Sequence, residues 1–232
     1  ALEQLRQADR DGLFHGLTDG GRQWLLAPHH DLGPRRLDDL SLKRDWATPL
    51  CLWGQGDPHA LTACGSPVAI VGSRGCDDYG RRTASRLAER LADDGHVVVS
   101  GGAMGTDAAA HWGALHAADT ASRADGVGVT VEVFAGGLDH AGPRTNMALF
   151  TRIIDSSGAL VSELAPGTIP LARRFLLRNR IIAALAGTVV VAQAGLRSGA
   201  PVPSTHLPAH ETKATLVCRL PLGQKHHNLT TI

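Results

Sequence analysis

The stretch "VAIVGSRGCDDYG", residues 68–80, decides how the chain folds. Four apolar residues lead directly into Gly72, a pattern typical of a buried strand that ends in a tight loop. The loop continues through Ser73 and Arg74, and it has neither the lysine of a Walker phosphate loop nor GxGxxG spacing. Backbone N–H groups, a hydroxyl and a guanidinium can together hold an anion, although a plain turn with a solvated arginine explains the same residues.

Strands and helices alternate from this stretch onward. Apolar runs predict strands at 48–57, 68–72, 96–102, 129–137, 159–164 and 188–195. Helical periodicity, capping residues and glycines predict helices at 79–95, 105–117, 143–158 and 174–187. Buried strands that alternate with helices indicate an α/β fold, with a doubly wound, mainly parallel sheet of the Rossmann-like kind.

Composition divides the chain into three regions. We expect residues 1–47 to form a partly helical N-terminal extension, with a helix near residues 2–9. Residues 48–200 form the Rossmann-like domain. Residues 201–232 are rich in proline and histidine and read as an irregular C-terminal tail, with one further strand at 214–220.

The bulk composition excludes several classes of site. The four cysteines show no CxxC spacing and the histidines no HxH or HExxH spacing, so neither a metal site nor a disulfide framework is predicted. No cofactor is predicted either. The formal net charge of +1 neither requires nor excludes a nucleic-acid partner. Without a signal peptide or a long apolar run, the expected location is the cytoplasm, away from membranes.

The second predicted strand ends in a glycine-rich loop. Ser100, Gly101 and Gly102 let the backbone approach a phosphate or a ribose closely, and the next helix points its N-terminus at them. Asp107 suits two roles, capping that helix or contacting a sugar hydroxyl. His111 lies one turn later, so the two form either an acid–base pair or a structural pair.

Further loops follow the third and fourth strands. Gly136 and Gly137 form a third glycine turn, and Glu163 is the best-placed lone carboxylate for a catalytic role, unless it orders neighbouring loops. Because the carboxyl ends of parallel strands share one edge of a sheet, we expect all these loops to meet there.

The last predicted helix opens with the segment "RFLLRNR", residues 174–180. Cations beside an aromatic ring suit single-stranded nucleic acid, because phosphates pair with the cations and a base stacks on the ring. A helix start with solvated arginines and a buried Phe175 explains the same pattern. Several arginines near a helix N-terminus oppose the helix dipole, which favours an anionic partner.

In these motifs the chain resembles the DNA-processing protein A family, also called Smf, which shares a superfamily with the LOG-type phosphoribohydrolases. The resemblance rests on "VAIVGSR", "VVVSGGAMGTDAAAHWGAL", "VFAGGLD", "LVSELAPG" and "RRFLLRNRIIAALAGTVVVAQAG", in family order over about residues 48–200.

The resemblance implies a dimeric single-stranded DNA-binding protein of natural transformation (competence), which coats incoming DNA and helps to load the RecA recombinase. No catalytic reaction is implied. The implied DNA- and phosphate-binding residues are Gly72, Ser73, Arg74, Ser100, Gly101, Gly102, Asp107, Gly136, Gly137, Phe175, Arg178, Asn179 and Arg180.

The sequence departs from the family pattern at three places. Gly142 stands where the family has tyrosine before Pro143, and Gln193 stands where it has glutamate. Residues 201–232 lack the Thr-Ala helix and the "AVPG" strand of the family.

The alternative function is a LOG-like enzyme that hydrolyses nucleoside monophosphates, or a sensor of a nucleotide-like ligand. It is the weaker interpretation, because the late Pro-Gly-Gly-x-Gly-Thr-x-x-Glu loop of those enzymes is absent from this sequence.

Overall fold

The computed structural model describes residues 18–42, 47–121 and 126–194, together with the backbone of 216–218 and 229–231. Its centre is one nine-stranded sheet. The strands are β1 (Trp24–Leu26), β2 (Leu52–Gly56), β3 (Val68–Gly72), β4 (Val98–Gly101), β5 (Thr130–Val133), β6 (Ala159–Ser162), β7 (Thr188–Gln193), β8 (Leu216–Cys218) and β9 (Leu229–Thr231). None of the described helices is long and apolar enough to cross a membrane.

The strands are arranged in the order β1-β2-β6-β5-β4-β3-β7-β8-β9. The five central strands β6, β5, β4, β3 and β7 are parallel, and two antiparallel strands flank them on each side. The chain moves outward from β3 to β6 and then returns to the other side of β3. That reversal places the switch in strand order between β3 and β7, where open α/β sheets bind ligands.

Four helices connect the parallel strands. They are α1 (Asp78–Asp93), α2 (Thr106–Thr120), α3 (Met147–Asp155) and α4 (Ala172–Leu185). The first three pack on one face of the sheet. The other face is covered by α4 and by a 3-10 helix at Arg35–Leu42. Helices on both faces confirm the predicted doubly wound α/β fold.

Alternate side chains of each strand enter different cores. Val98 packs with the alanines of α1 and α2, whereas its neighbours Val97 and Val99 pack beneath α4. A third cluster gathers Phe150 and Ile153 of α3 around Trp53 of β2. Because both faces are buried, the strands read as continuous apolar runs, which is why the sequence revealed them.

The sheet extends beyond the region expected to form it. β1 and the 3-10 helix at Arg35–Leu42 belong to the stretch expected as an extension, yet both pack against the sheet. The strand expected at 214–220 is present as β8. β9, which the sequence did not predict, pairs with it. The helix expected near residues 2–9 lies outside the described residues.

Candidate functional site

The loops after β3 and β4 are joined at the carboxyl edge of the sheet. The Ser73 N–H donates to the Gln193 carbonyl oxygen at 2.8 Å, and the Ser73 carbonyl accepts from the Thr106 N–H at 3.2 Å. Gly105, with φ +82°, lies so close to the Ser73 and Arg74 carbonyls that a side chain there would collide with them. The loop Gly72–Arg74 is therefore held from both sides by β7 and by the start of α2.

The exposed Arg74 and the half-buried Phe175 meet at this edge. The Arg74 guanidinium carbon lies 4.9 Å from the centroid of the Phe175 ring, which is cation–π geometry. Arg74 is exposed and takes part in none of the salt bridges found among the described residues. The structure thus brings together two predicted site residues that are about a hundred positions apart in sequence.

Arg178 lies beneath this pair and is buried, with 6% of its surface exposed. Its Nη1 donates to the Val133 carbonyl at the end of β5. Its guanidinium also occupies the space that a side chain at position 101 would need. Burial lowers the pKa of Arg178, and the nearby Asp107 and Glu132 carboxyls act in the opposite direction.

Two buried carboxyl groups, Asp107 and Glu132, interact electrostatically with Arg178. Asp107 accepts hydrogen bonds from the backbone N–H groups of Ala103 and Gly72, and burial raises its pKa to about 7 while Arg178 opposes the shift. Glu132 is fully buried on β5, and neither of its carboxyl oxygens has a hydrogen-bond partner. Burial raises the pKa of Glu132 well above its usual range; Arg178 opposes that shift and Asp107 adds to it.

His111 is a structural residue in this arrangement. Its Nδ1 is 2.7 Å from the Thr130 hydroxyl and its Nε2 is 3.2 Å from the Gly101 carbonyl. Burial lowers its pKa to about 4, although the Gly101 hydrogen bond acts in the opposite direction. A neutral imidazole with both nitrogens engaged favours the structural reading of the Asp107–His111 pair over the acid–base reading.

The other predicted loops are held by buried side chains. Ser100 donates to the Ile70 carbonyl at 2.5 Å, and Ser162 donates to the Gly136 carbonyl at 2.8 Å. The Gly137 N–H donates to the Thr168 carbonyl at 2.8 Å, so the glycine turn packs on the loop that leads into α4. These loops all lie at the carboxyl edge of the parallel strands, where we expected them.

Arg180 is paired with Glu163. Arg180 Nη2 is 2.6 Å from Glu163 Oε2, and both side chains are largely buried. The pair ties the loop after β6 to α4, which is the ordering role left open for Glu163. Asn179, between the two arginines, is half-buried.

Sequence reasoning did not single out Glu132 or Asn146. Glu132 lies inside an apolar strand, and a single carboxylate there does not match any functional sequence motif. Asn146 donates from Nδ2 to the Gly102 carbonyl at 3.0 Å and so holds the second glycine loop. A polar residue within an otherwise buried strand is the one signal that would have revealed Glu132.

The structure shows the local geometry at two of the positions that depart from the family pattern, Gln193 and Gly142. The Gln193 side-chain oxygen accepts the Asp77 N–H at 3.1 Å, so an amide fills the position at the start of α1. The Gly142–Pro143 peptide bond is cis. No group of three or more potential metal ligands occurs in the described part of the chain.

Comparison with known proteins agrees with this geometry. The family model described as DNA recombination-mediator protein A matches residues 25–221, a wider range than the motifs cover. Protein Smf of Escherichia coli is 37% identical over 84% of this chain and 50% of its own length. DNA processing protein DprA of Streptococcus pneumoniae is 39% identical over 70% of this chain and 54% of its own length. The chain therefore spans about half the length of these relatives.

Solved structures show the same architecture. The Streptococcus pneumoniae DprA structure superposes with a TM-score of 0.67 at 31% identity, covering 85% of this chain and 62% of that one. DNA processing protein A of Helicobacter pylori, described for its single-stranded DNA-binding mode, gives a TM-score of 0.63 at 30% identity. That match covers 77% of this chain and 72% of the other. The chain belongs to the DNA recombination-mediator protein A family.

Proposed function

We propose that the protein binds single-stranded DNA at the carboxyl edge of its sheet. The observation that carries the proposal is the exposed Arg74 guanidinium against the face of Phe175. A phosphate can pair with the cation while a neighbouring base stacks on exposed ring surface, and neither contact reads the base sequence. The family and the Helicobacter pylori structure support this function.

The predicted contact residues differ in exposure, and we assign each a role accordingly. Arg74, Phe175 and the Gly72–Ser73 turn lie at the surface or are half-buried, and we assign them direct contact with DNA. Gly136 and Gly137 shape the loops around that surface, as do Ser100, Gly101 and Gly102. Asn179 lies beside the surface. The buried Arg178 and Asp107 support the surface from below, together with the partly buried Arg180.

We also propose that the protein works as a recombination mediator in the cytoplasm. In that role it coats single strands that enter during natural transformation and helps to load the RecA recombinase, acting as a dimer. Family membership supports this role. The described site supplies the DNA-binding step on which the other steps depend.

We infer that binding, rather than catalysis, is the activity of the site. Glu163, the best-placed carboxylate in the sequence, is engaged by Arg180. Asp107 and Glu132 are buried beneath the loops. A LOG-like hydrolase would release free base from nucleoside monophosphates, so incubation with these compounds and chromatography of the products tests that alternative.

Salt dependence tests the DNA-binding proposal. We expect a fluorescent oligo-dT to bind with an affinity that falls steeply as salt rises, because phosphate contacts release counterions. Arg74→Ala should weaken binding by about tenfold. It should also reduce the slope of the logarithm of affinity against the logarithm of salt concentration by about one, which corresponds to one lost phosphate contact. Fluorescence anisotropy at several salt concentrations measures both quantities.

Arg90→Ala is the matched control, since Arg90 is exposed in the last turn of α1 at the opposite edge of the sheet. It removes the same charge and should change affinity much less. Equal losses for the two variants, or binding that ignores salt, would contradict the proposed site.

A further inference from the structure

We infer that Asp107, Glu132 and Arg178 form a buried charge cluster that sets how tightly the loops above it hold a phosphate, and that Asp107 is the member whose charge changes. This inference rests on the proposed function and deepens it. It makes Arg178 and Asp107 positioning residues of the DNA site, because neither is exposed enough to bind the strand directly.

The cluster contacts the loops after β3 and β4 and the end of β5. Asp107 accepts from the N–H of Gly72, after β3, and from that of Ala103, after β4. Arg178 holds the end of β5 through the Val133 carbonyl and packs against Gly101. A change in the charge of this cluster therefore acts directly beneath the loops that would hold the phosphate.

The charges in the cluster do not balance when both carboxyls are ionised. One guanidinium interacts electrostatically with two carboxyl groups, so a second buried carboxylate would have no counter-charge. Asp107 accepts two backbone hydrogen bonds, which stabilise its ionised form, whereas neither oxygen of Glu132 has a partner. Asp107 therefore ionises first and Glu132 keeps its proton.

The other groups around the cluster do not compete with Asp107 near neutral pH. Arg74 is the additional charge that acts on Asp107 and Arg178. His111, on the same helix, has a pKa of about 4 and is neutral across that range. The pKa of about 7 for Asp107 agrees with the order that the hydrogen bonds indicate.

The sign of the effect follows from the charges. Below the pKa of Asp107 the cluster has one positive charge, and above that pKa its charge is zero. Positive potential beneath the loops favours phosphate, so affinity for single-stranded DNA should fall as pH rises through about 7. One unit charge at a distance of several ångströms in a partly screened site changes affinity by about three- to tenfold.

The experiment compares three variants with the natural protein in oligo-dT binding from about pH 5.5 to about pH 8.5 at constant ionic strength. Asp107→Asn keeps a side-chain oxygen for the two N–H groups and should retain the low-pH affinity throughout. Glu132→Gln should follow the natural protein, because it replaces a carboxyl that is already protonated. The double variant should behave like Asp107→Asn. It excludes the case in which Glu132 titrates in place of Asp107 once Asp107 has been replaced.

The ratio of dissociation constants between the natural protein and each variant is the quantity to analyse. Every other ionisable group is shared by the proteins in the series, so its effect on binding cancels in the ratio. If the double variant keeps the full pH dependence of the natural protein, the inference is overturned and DNA binding itself stands. If the natural protein binds no oligonucleotide at low salt, the proposed function fails as well.

A measurement on the natural protein keeps the test independent of how the variants fold. The carboxyl carbon of Asp107, followed by NMR as pH changes, should titrate near pH 7. A midpoint near 4, the usual range for aspartate, would overturn the inference. Thermal unfolding of each variant shows whether it is folded at the pH values compared.

Discussion

Gly101 is constrained by an arginine side chain. The sequence suggested that glycines in this loop admit a ligand, but the structure places the Arg178 guanidinium where a side chain at position 101 would lie. We expect Gly101→Ala to destabilise the protein by about 1–3 kcal/mol, because Arg178 is held to the Val133 carbonyl and cannot yield without losing it. Urea unfolding monitored by circular dichroism gives the change in free energy.

Gly75→Ala is the matched control for that substitution. A side chain at position 75 would meet no atom within 4 Å, and Gly75 lies in the same edge of the sheet. Its free energy of unfolding should change by less than about 0.5 kcal/mol. If both variants lose the same stability, Arg178 is not what requires glycine at position 101.

The helices α1 and α2 pack closely because small residues line their contact. Ala84, Ala88 and Ala92 of α1 face Ala110 and Ala114 of α2 in one buried cluster. We expect Ala114→Leu to destabilise the protein by about 1–3 kcal/mol, because three added carbon atoms must separate the helices. The exposed Ala118 lies on the same helix, and Leu has nearly the helix propensity of Ala, so Ala118→Leu should be close to neutral.

Chemical denaturation of the two leucine variants measures the difference. A loss that appears equally in both would show that helix propensity, and not the packing of α1 against α2, governs this part of the fold.

The strands and helices that the sequence predicted are those marked by an apolar run, a capping residue or helical periodicity. The central strands show as apolar runs because both of their faces are buried, and the helices between them have caps and periodicity. β1 is only three residues long and lies among charged residues and prolines, so its pairing with β2 depends on contacts distant in sequence. β8 was predicted from an apolar run, whereas β9 has no such run.

The site was predictable to the extent that it follows from strand ends. Gly72 and Gly136 could be assigned to one edge because parallel strands share it. The contact between Arg74 and Phe175 could not be assigned without coordinates, since it depends on how α4 crosses the sheet. The burial of Arg178 was equally out of reach, because a cationic helix start reads as a solvated surface in sequence.

Residues 18–42 belong to the same folded unit as the parallel sheet. Trp24 of β1 donates from Nε1 to the Gly56 carbonyl at 2.9 Å, and its ring fills the space above Gly54. β2 in turn pairs with β6, so the stretch is connected to the centre of the sheet. A molecule built this way should unfold in one cooperative step that includes β1.

Trp24→Ala tests that continuity across the whole molecule. Loss of the half-buried ring over Gly54 and of its hydrogen bond should lower the free energy of unfolding by about 2 kcal/mol. The entire circular dichroism transition should move to lower urea concentration with unchanged steepness. Leu50→Ala removes an apolar side chain that is 92% exposed and should leave the transition in place. If residues 18–42 were instead a separate unit, Trp24→Ala would leave the main transition where Leu50→Ala leaves it.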